Sequence, residues 1–378
     1  MNHAPSAGPR LSDRQRLHWL RLIRTENVGP ASFRDLINRF GSAEAAIAML
    51  PELASRGGAK RQSRIPSERE AEAELEAAQR YGARFVAVGE ADYPPMLRRM
   101  DLPPPIIAVK GDTAVGHMPA ISIVGARNAS AAGVRMARML SGEIGREGYA
   151  IVSGLARGID AAAHTGSLGT GTIAVLAGGL DKPYPPENVG LAAEIGERGL
   201  LITEMPFGWE PRARDFPRRN RLVAGLGLGL VVVEAALRSG SLISARLAGE
   251  MGRIVFAVPG SPLDPRAAGA NGLLKDGASI VTEARDVLDV LAPLAGSPSI
   301  SPVSPLEEPP DFSTPPPDDS DRARLMEALG PVPTPIDEII HHTGLHPAQV
   351  FLILLELDLA GRIERHGGGW VSLLAADP

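Results

Sequence analysis

Apolar residues recur with two different periods along this chain, and the change between them divides it. From residue 12 to about 60 they fall three or four apart: Leu17, Leu20 and Ile23 make one stripe, and Phe33, Leu36, Ile37 and Phe40 make the next. That spacing puts each set on one face of a 3.6-residue helix. Asn27-Val28-Gly29-Pro30 separates the stripes and predicts a tight turn between two amphipathic helices. The mixed-charge stretch from Arg56 to Arg80 predicts a loop running into an exposed helix.

From about Tyr81 to Leu291 the pattern becomes short, nearly unbroken apolar runs alternating with helical segments. Strands are predicted at Phe85–Val88, Ile121–Val124, Ala150–Ser153, Thr172–Ala177, Leu200–Thr203, Gly229–Val233 and Arg253–Val258. Helices are predicted between them, at Ser130–Arg146 with Val134, Ala137, Leu140 and Ile144 on one side, and at Ser239–Met251. Runs apolar at every position fit strands buried on both faces, so this region is an α/β, doubly wound sheet. Its ligand belongs at the carboxyl ends of the strands.

Four domains or segments follow. Residues 1–80 form a helical unit of sterile-alpha-motif or helix-hairpin-helix type, read first as a packing module and second as a grip on DNA backbone. Residues 81–291 form the α/β domain. Residues 292–320 are an acidic, proline-rich linker: between Asp286 and Ser320 there are nine prolines, seven acids and no lysine or arginine. Residues 321–378 carry three helical runs, Leu325–Leu329, Ile336–His341 and Pro347–Leu359. A hairpin pattern at Gly361–Arg365 and Gly369–Ser372 completes a winged helix, read as a protein contact before a DNA contact because its third helix carries few basic residues.

The net charge of −5 gives no long-range pull toward nucleic acid, so such binding requires local clustering. One cluster exists: five arginines against two acids from Met205 to Gly225. Aromatics are only 4% of residues, which limits stacking platforms and shifts weight to backbone contacts. Cysteine is absent, which removes disulfides and thiolate metal sites. The polar N-terminus and the shortness of the longest apolar run, Leu222–Val233, predict a cytoplasmic protein without a membrane partner.

Candidate chemistry gathers on two glycine-rich junctions, Ser122-Ile-Val-Gly-Ala-Arg127 and Ile151-Val-Ser-Gly-Leu-Ala-Arg-Gly-Ile-Asp160. Each ends a strand and opens a helix, where main-chain N–H groups favour an anion. Phe216-Pro-Arg-Arg-Asn-Arg221 and Ser239-Gly-Ser-Leu-Ile-Ser-Ala245 add cations and a small-residue turn. A dinucleotide fingerprint fails after Gly125, no P-loop occurs, and Ser153 lacks the frame of a hydrolase elbow. Ser153 and Asp160 are read as turn residues, and His164 as packed. Arg218, Arg219 and Arg221 either pair with Glu204 and Glu234 or hold phosphate, and phosphate contact is expected of Arg219 and Arg221. The three histidines His341, His342 and His346 lack carboxylate partners, so no metal and no cofactor is expected.

At these motifs the chain resembles the bacterial DNA-processing protein A family, DprA, also called Smf. The resemblance rests on Ile123-Val-Gly-Ala-Arg127, the run Val152 to His164, Ala177-Gly-Gly-Leu-Asp181 with Tyr184-Pro-Pro-Glu-Asn188, Phe216 to Arg221, Ser239-Gly-Ser-Leu242 and Phe256-Ala-Val-Pro-Gly260. It implies an extended Rossmann-like domain and a non-enzymatic protein that binds and protects single-stranded DNA and loads RecA recombinase during natural transformation. It also implies a homodimer. Carried over by position, the expected DNA-binding set is Arg127, Ser153, Gly154, Arg157, Gly158, Phe216, Arg219, Asn220, Arg221, Gly240 and Ser241. The fold is related to that of nucleotide-cleaving enzymes with a G-G-x-G-T-x-x-E motif, which is the alternative reading. Serine at 244 stands where their acid would be, and that argues against cleavage. A protein-interaction scaffold is the third reading.

Overall fold

The computed structural model describes residues 10–295 and 315–374. In chain order the helices α1 (Asp13–Ile23), α2 (Pro30–Phe40), α3 (Ala43–Arg56) and α4 (Glu68–Arg80) precede an alternating α/β region. That region runs β1 (Arg84–Ala87), α5 (Pro95–Arg98), β2 (Ile106–Gly111), β3 (Ala120–Val124), α6 (Ala131–Arg146), β4 (Ala150–Ser153), α7 (Ile159–Ser167), β5 (Thr172–Val175) and α8 (Val189–Arg198). It continues β6 (Leu200–Thr203), α9 (Asp215–Leu226), β7 (Gly229–Val232), α10 (Gly240–Glu250), β8 (Ile254–Ala257), α11 (Ala268–Lys275), β9 (Ser279–Ile280) and α12 (Ala284–Ala295). The last segment is α13 (Asp319–Ala328), β10 (Thr334–Pro335), α14 (Ile336–Thr343), α15 (Pro347–Leu359), β11 (Ile363–His366) and β12 (Trp370–Leu373). Most of the linker expected at 292–320 lies outside the described residues.

The described residues fall into two compact units, one of residues 74–100 and 107–295, the other of 11–73, 101–106 and 315–374. The first holds a sheet in the order β1-β2-β6-β5-β4-β3-β7-β8-β9. From β6 to β9 every neighbour is parallel, whereas β2 pairs antiparallel with β6. Alternate side chains feed two cores: Val124, Val152, Val175 and Val232 into one, Ile121, Ile123, Ile151 and Val231 into the other. Both faces are therefore covered, as continuous apolar strands require. Serines set the helix starts the sequence marked: Ser130 accepts from the Gly133 N–H and Ser239 from the Ser241 N–H. The chain winds from β3 toward β6 on one side and from β7 toward β9 on the other. The topological switch lies between β3 and β7.

In the second unit the N-terminal helices and the winged helix, separate in sequence, share one core. Leu352, Leu355 and Leu359 of α15 pack with Leu22, Val28, Phe33, Leu36 and Leu53. Its other side, Val350, Ile353, Leu354 and Leu357, packs with Leu325, Ile339, Ile363 and Val371. Between residues 350 and 359 only Phe351 is exposed. The third helix of the winged helix is thus used on both faces for packing. Polar ties reinforce the seam: Asn27 donates to the Leu359 carbonyl at 3.2 Å, and Arg365 bridges Asp35 at 2.8 Å and Asp358 at 3.2 Å.

Candidate nucleic-acid interface

Three loops at the carboxyl ends of β3, β4 and β5, together with the start of α9, converge on one rim. The loops after β3 and β4 touch directly, since Ile159 N–H donates to the Ala126 carbonyl at 3.2 Å. Gly158 makes this approach possible: its φ is +74°, and a Cβ there would lie 2.3 Å from the Ala126 oxygen. Arg127 and Arg157 stand exposed on the two loops. Among the described residues Arg157 meets only Glu187, at 3.5 Å, between two exposed side chains. A pair so exposed adds little and is readily exchanged for another anion.

Buried polar groups fix the β4 loop from beneath. Asp160 accepts from the N–H groups of Gly154 at 3.2 Å and Ala156 at 3.3 Å, the turn role expected of it. Asn188 donates to the Leu155 carbonyl at 2.8 Å, which holds Leu155 in the left-handed region at φ 59°. Such a conformation costs a non-glycine residue on the order of 1 kcal/mol or more and persists where its surroundings over-determine it. Arg219 donates from Nη1 to the carbonyls of Gly154 and Val175, the latter at 2.7 Å. The N–H groups of Arg157 and Gly158 meet no acceptor among the described residues.

Burial dominates the electrostatics. It raises the Asp160 carboxyl above its ordinary value against the opposing pull of Arg219 and the loop N–H groups. It lowers Arg219 to about 10, with Asp160 opposing and Arg127 adding to the fall, so the guanidinium stays charged at neutral pH. His164 is pushed down to about 3 by burial and by Arg219. It is a neutral ring at pH 7 whose Nδ1 lies 2.7 Å from the Thr172 hydroxyl, while Nε2 has no partner among the described residues. At Glu204 burial acts upward, but Arg221 and Arg218 outweigh it and hold the carboxyl below its usual range.

These contacts sort the expected site residues. Brought together on the rim are Arg127, Arg157, Gly154, Gly158 and Phe216; the Arg127 guanidinium lies 5.0 Å from the centre of the Phe216 ring. Asn220 reaches the Gly240 carbonyl at 3.4 Å, joining α9 to the start of α10, where Ser241 is buried against Ser239. Others are turned away. The Ser153 hydroxyl donates to the Ile123 carbonyl at 2.6 Å and is fully buried. Arg219 is 6% exposed and directed inward, and Arg221 joins Arg218 on Glu204. Phosphate contact is expected of Arg219 and Arg221; the helix instead lays Arg219 against strand-end carbonyls that need donors and Arg221 against Glu204, the pairing the sequence also offers.

Sequence reasoning missed Tyr184 as a site residue. Its ring is half exposed and meets Phe216 edge-on at 5.7 Å, so Arg127, Phe216 and Tyr184 form a continuous row. The low aromatic content argued against such a platform, yet two of the few rings stand here. The only sequence signal was the Tyr184-Pro-Pro motif itself. Glu204 was seen as a candidate partner, and the structure makes it the shared counter-ion of two arginines.

Comparison with known proteins agrees along the chain. The family model described as DNA recombination-mediator protein A matches residues 84–292, the DprA-like N-terminal HHH domain residues 13–77, and the DprA winged helix domain residues 308–369. Protein Smf of Escherichia coli is 40% identical over 291 residues, covering 75% of this chain and 76% of its own length. The crystal structure of DNA processing protein A from Streptococcus pneumoniae superposes with a TM-score of 0.60 at 30% identity, covering 74% of this chain and 98% of that one. That of the Helicobacter pylori protein, solved for its single-stranded DNA binding mode, gives 0.52 at 29% identity, covering 56% and 96%.

Proposed function

From the premise that this chain belongs to the DNA recombination-mediator protein A family, DprA or Smf, we propose that it binds single-stranded DNA along the rim of its sheet. The relative from Helicobacter pylori is described as binding single strands, and the rim here suits one. The observation that carries the reading is the row Arg127, Phe216 and Tyr184 beside the unpaired N–H groups of Arg157 and Gly158. The exposed Tyr184 ring and the partly buried Phe216 ring offer stacking to any base, and guanidinium and N–H groups accept phosphate, so affinity without strong sequence preference results. Gly154, Asn220, Gly240 and Ser241 frame this surface. Arg221 and Ser153 support it through their carboxylate and carbonyl partners.

The reading is of a binder rather than an enzyme. The three buried rim carboxylates are committed: Asp160 to the loop N–H groups, Glu204 to Arg218 and Arg221, and Glu234 to the Ser130 N–H and hydroxyl, at 2.9 Å for the hydroxyl. A general acid or base needs freedom to meet substrate. Nucleoside monophosphates incubated with the protein should be recovered intact, and release of base or phosphate would overturn this reading. Within the cytoplasm, and as a homodimer, the protein would keep incoming strands and pass them to RecA during transformation and recombination.

Fluorescence anisotropy with labelled oligothymidylate tests the site. Arg127→Ala and Arg157→Ala should each weaken binding several-fold, alike for oligonucleotides of any sequence. Unchanged affinity in both variants would remove the rim as the binding surface.

A further inference from the structure

Arg219 sits inside the rim in a way that no phosphate contact explains. Its guanidinium joins the last carbonyls of β4 and β5, those of Gly154 and Val175, which the sheet ladder leaves without donors. A trans peptide directs its N–H opposite to its carbonyl. Holding the Gly154 oxygen inward therefore sets the first peptide of the loop, and the next, between Leu155 and Ala156, is held at both ends, by Asn188 on its carbonyl and Asp160 on its N–H. The loop thereby reaches Arg157 and Gly158 with their N–H groups unpaired and the Arg157 side chain outward. Gly154 is shaped to this arrangement, because a Cβ there would fall 2.1 Å from Arg219 Nη1.

We propose that Arg219 and Asp160 are positioning residues for the strand: they do not touch DNA but hold the Gly154–Gly158 loop so that Arg157 and two main-chain N–H groups face its phosphates. This inference rests on the single-strand reading above and deepens it. A direct contact would require Arg219 to abandon two buried carbonyls and leave both acceptors unmet. Asp160, Arg219 and the neutral His164 are all buried, whereas Arg127 and Arg157 are exposed and left for the ligand.

Contact and positioning leave different marks on salt dependence. Losing one phosphate contact on a single strand lowers the slope of log K against log salt by about 0.7, whereas a misplaced loop weakens binding by lowering the population of the competent arrangement. For the full chain, Arg219→Gln and Asp160→Asn should weaken oligothymidylate binding about tenfold or more with a wild-type slope. Amide exchange should accelerate at Gly154 and Ala156, the loop N–H groups that Asp160 holds, ahead of the sheet core, which a general loss of stability would not reproduce. Arg219→Lys, able to reach one carbonyl, should recover part of the affinity. A slope reduced by about 0.7 in Arg219→Gln would make Arg219 a contact and overturn the proposal. Should that variant not fold, Gly154→Ala decides, since it displaces the guanidinium with every charge kept. It should weaken binding at constant slope, and wild-type affinity in Gly154→Ala would equally overturn the proposal. Failure of the wild-type chain to bind would instead defeat the single-strand reading itself.

Discussion

His164 illustrates how burial assigns charge among neighbouring residues of one motif. Its ring, fully buried beside Arg219, titrates at about 3 against an ordinary value of 6.5. The unfolded chain therefore takes up a proton that the folded chain refuses, so stability is complete above about pH 6.5 and falls as pH drops toward 3. Below about pH 6 the sheet unit should lose on the order of 1 kcal/mol per pH unit through this residue, and a His164→Gln variant should show a flatter pH profile in chemical denaturation. Phe216 gives a second residue-scale expectation. Its removal as Phe216→Ala takes away a stacking face and the partner of Arg127, and should weaken single-strand binding by about 1 to 3 kcal/mol in an anisotropy titration. The motifs containing Arg127 and Arg157 were legible in the sequence because strand-to-helix junctions rich in glycine announce where the backbone is open. That Arg219 points inward was not, since α9 offers three arginines within four positions and only the folded helix decides which meets strand-end carbonyls.

Elements read from periodicity match the structure where their pattern is long or capped. Ser130 and Ser239 fixed the starts of α6 and α10, and the β4 and β6 strands coincide with their apolar runs. Two strands of the large sheet escaped, as did the two-residue β10 of the winged helix. β2 is a short apolar run behind three prolines and ahead of Lys110, and β9 is two residues long; each gains its structure from pairing with a neighbour, β6 and β8 respectively. Because β2 runs antiparallel, the sheet is mixed rather than wholly parallel. The winged helix was legible as three helices and a hairpin, but nothing in its own sequence told that Leu352, Leu355 and Leu359 face the N-terminal helices. Leu355→Ala should destabilise the second unit by about 2 to 5 kcal/mol, as truncation of a fully buried leucine does, measured by urea denaturation monitored at Trp19.

At the scale of the whole molecule, a net charge of −5 and a local cationic rim make single-strand binding a matter of arrangement. Among the described residues no helix is long and apolar enough to cross a membrane. The two units also carry buried titratable groups of opposite sense. Asp358 in the second unit is raised to about 6 by burial, against Arg365 and with Asp35 adding to the rise. Its contribution is full below about pH 4 and lost as pH climbs through 6, the reverse of His164. Acidification from pH 7.5 to 5.5 should lower the stability of the sheet unit relative to the helical one, seen as a change in the order in which amide protection is lost on adding urea. The most direct test of the central claim is a salt titration of oligothymidylate and duplex binding by the wild-type chain and the Arg127→Ala protein. The account predicts preference for the single strand and a slope of log K against log salt that falls by about 0.7 in the variant. Identical slopes and affinities for the two proteins would contradict it.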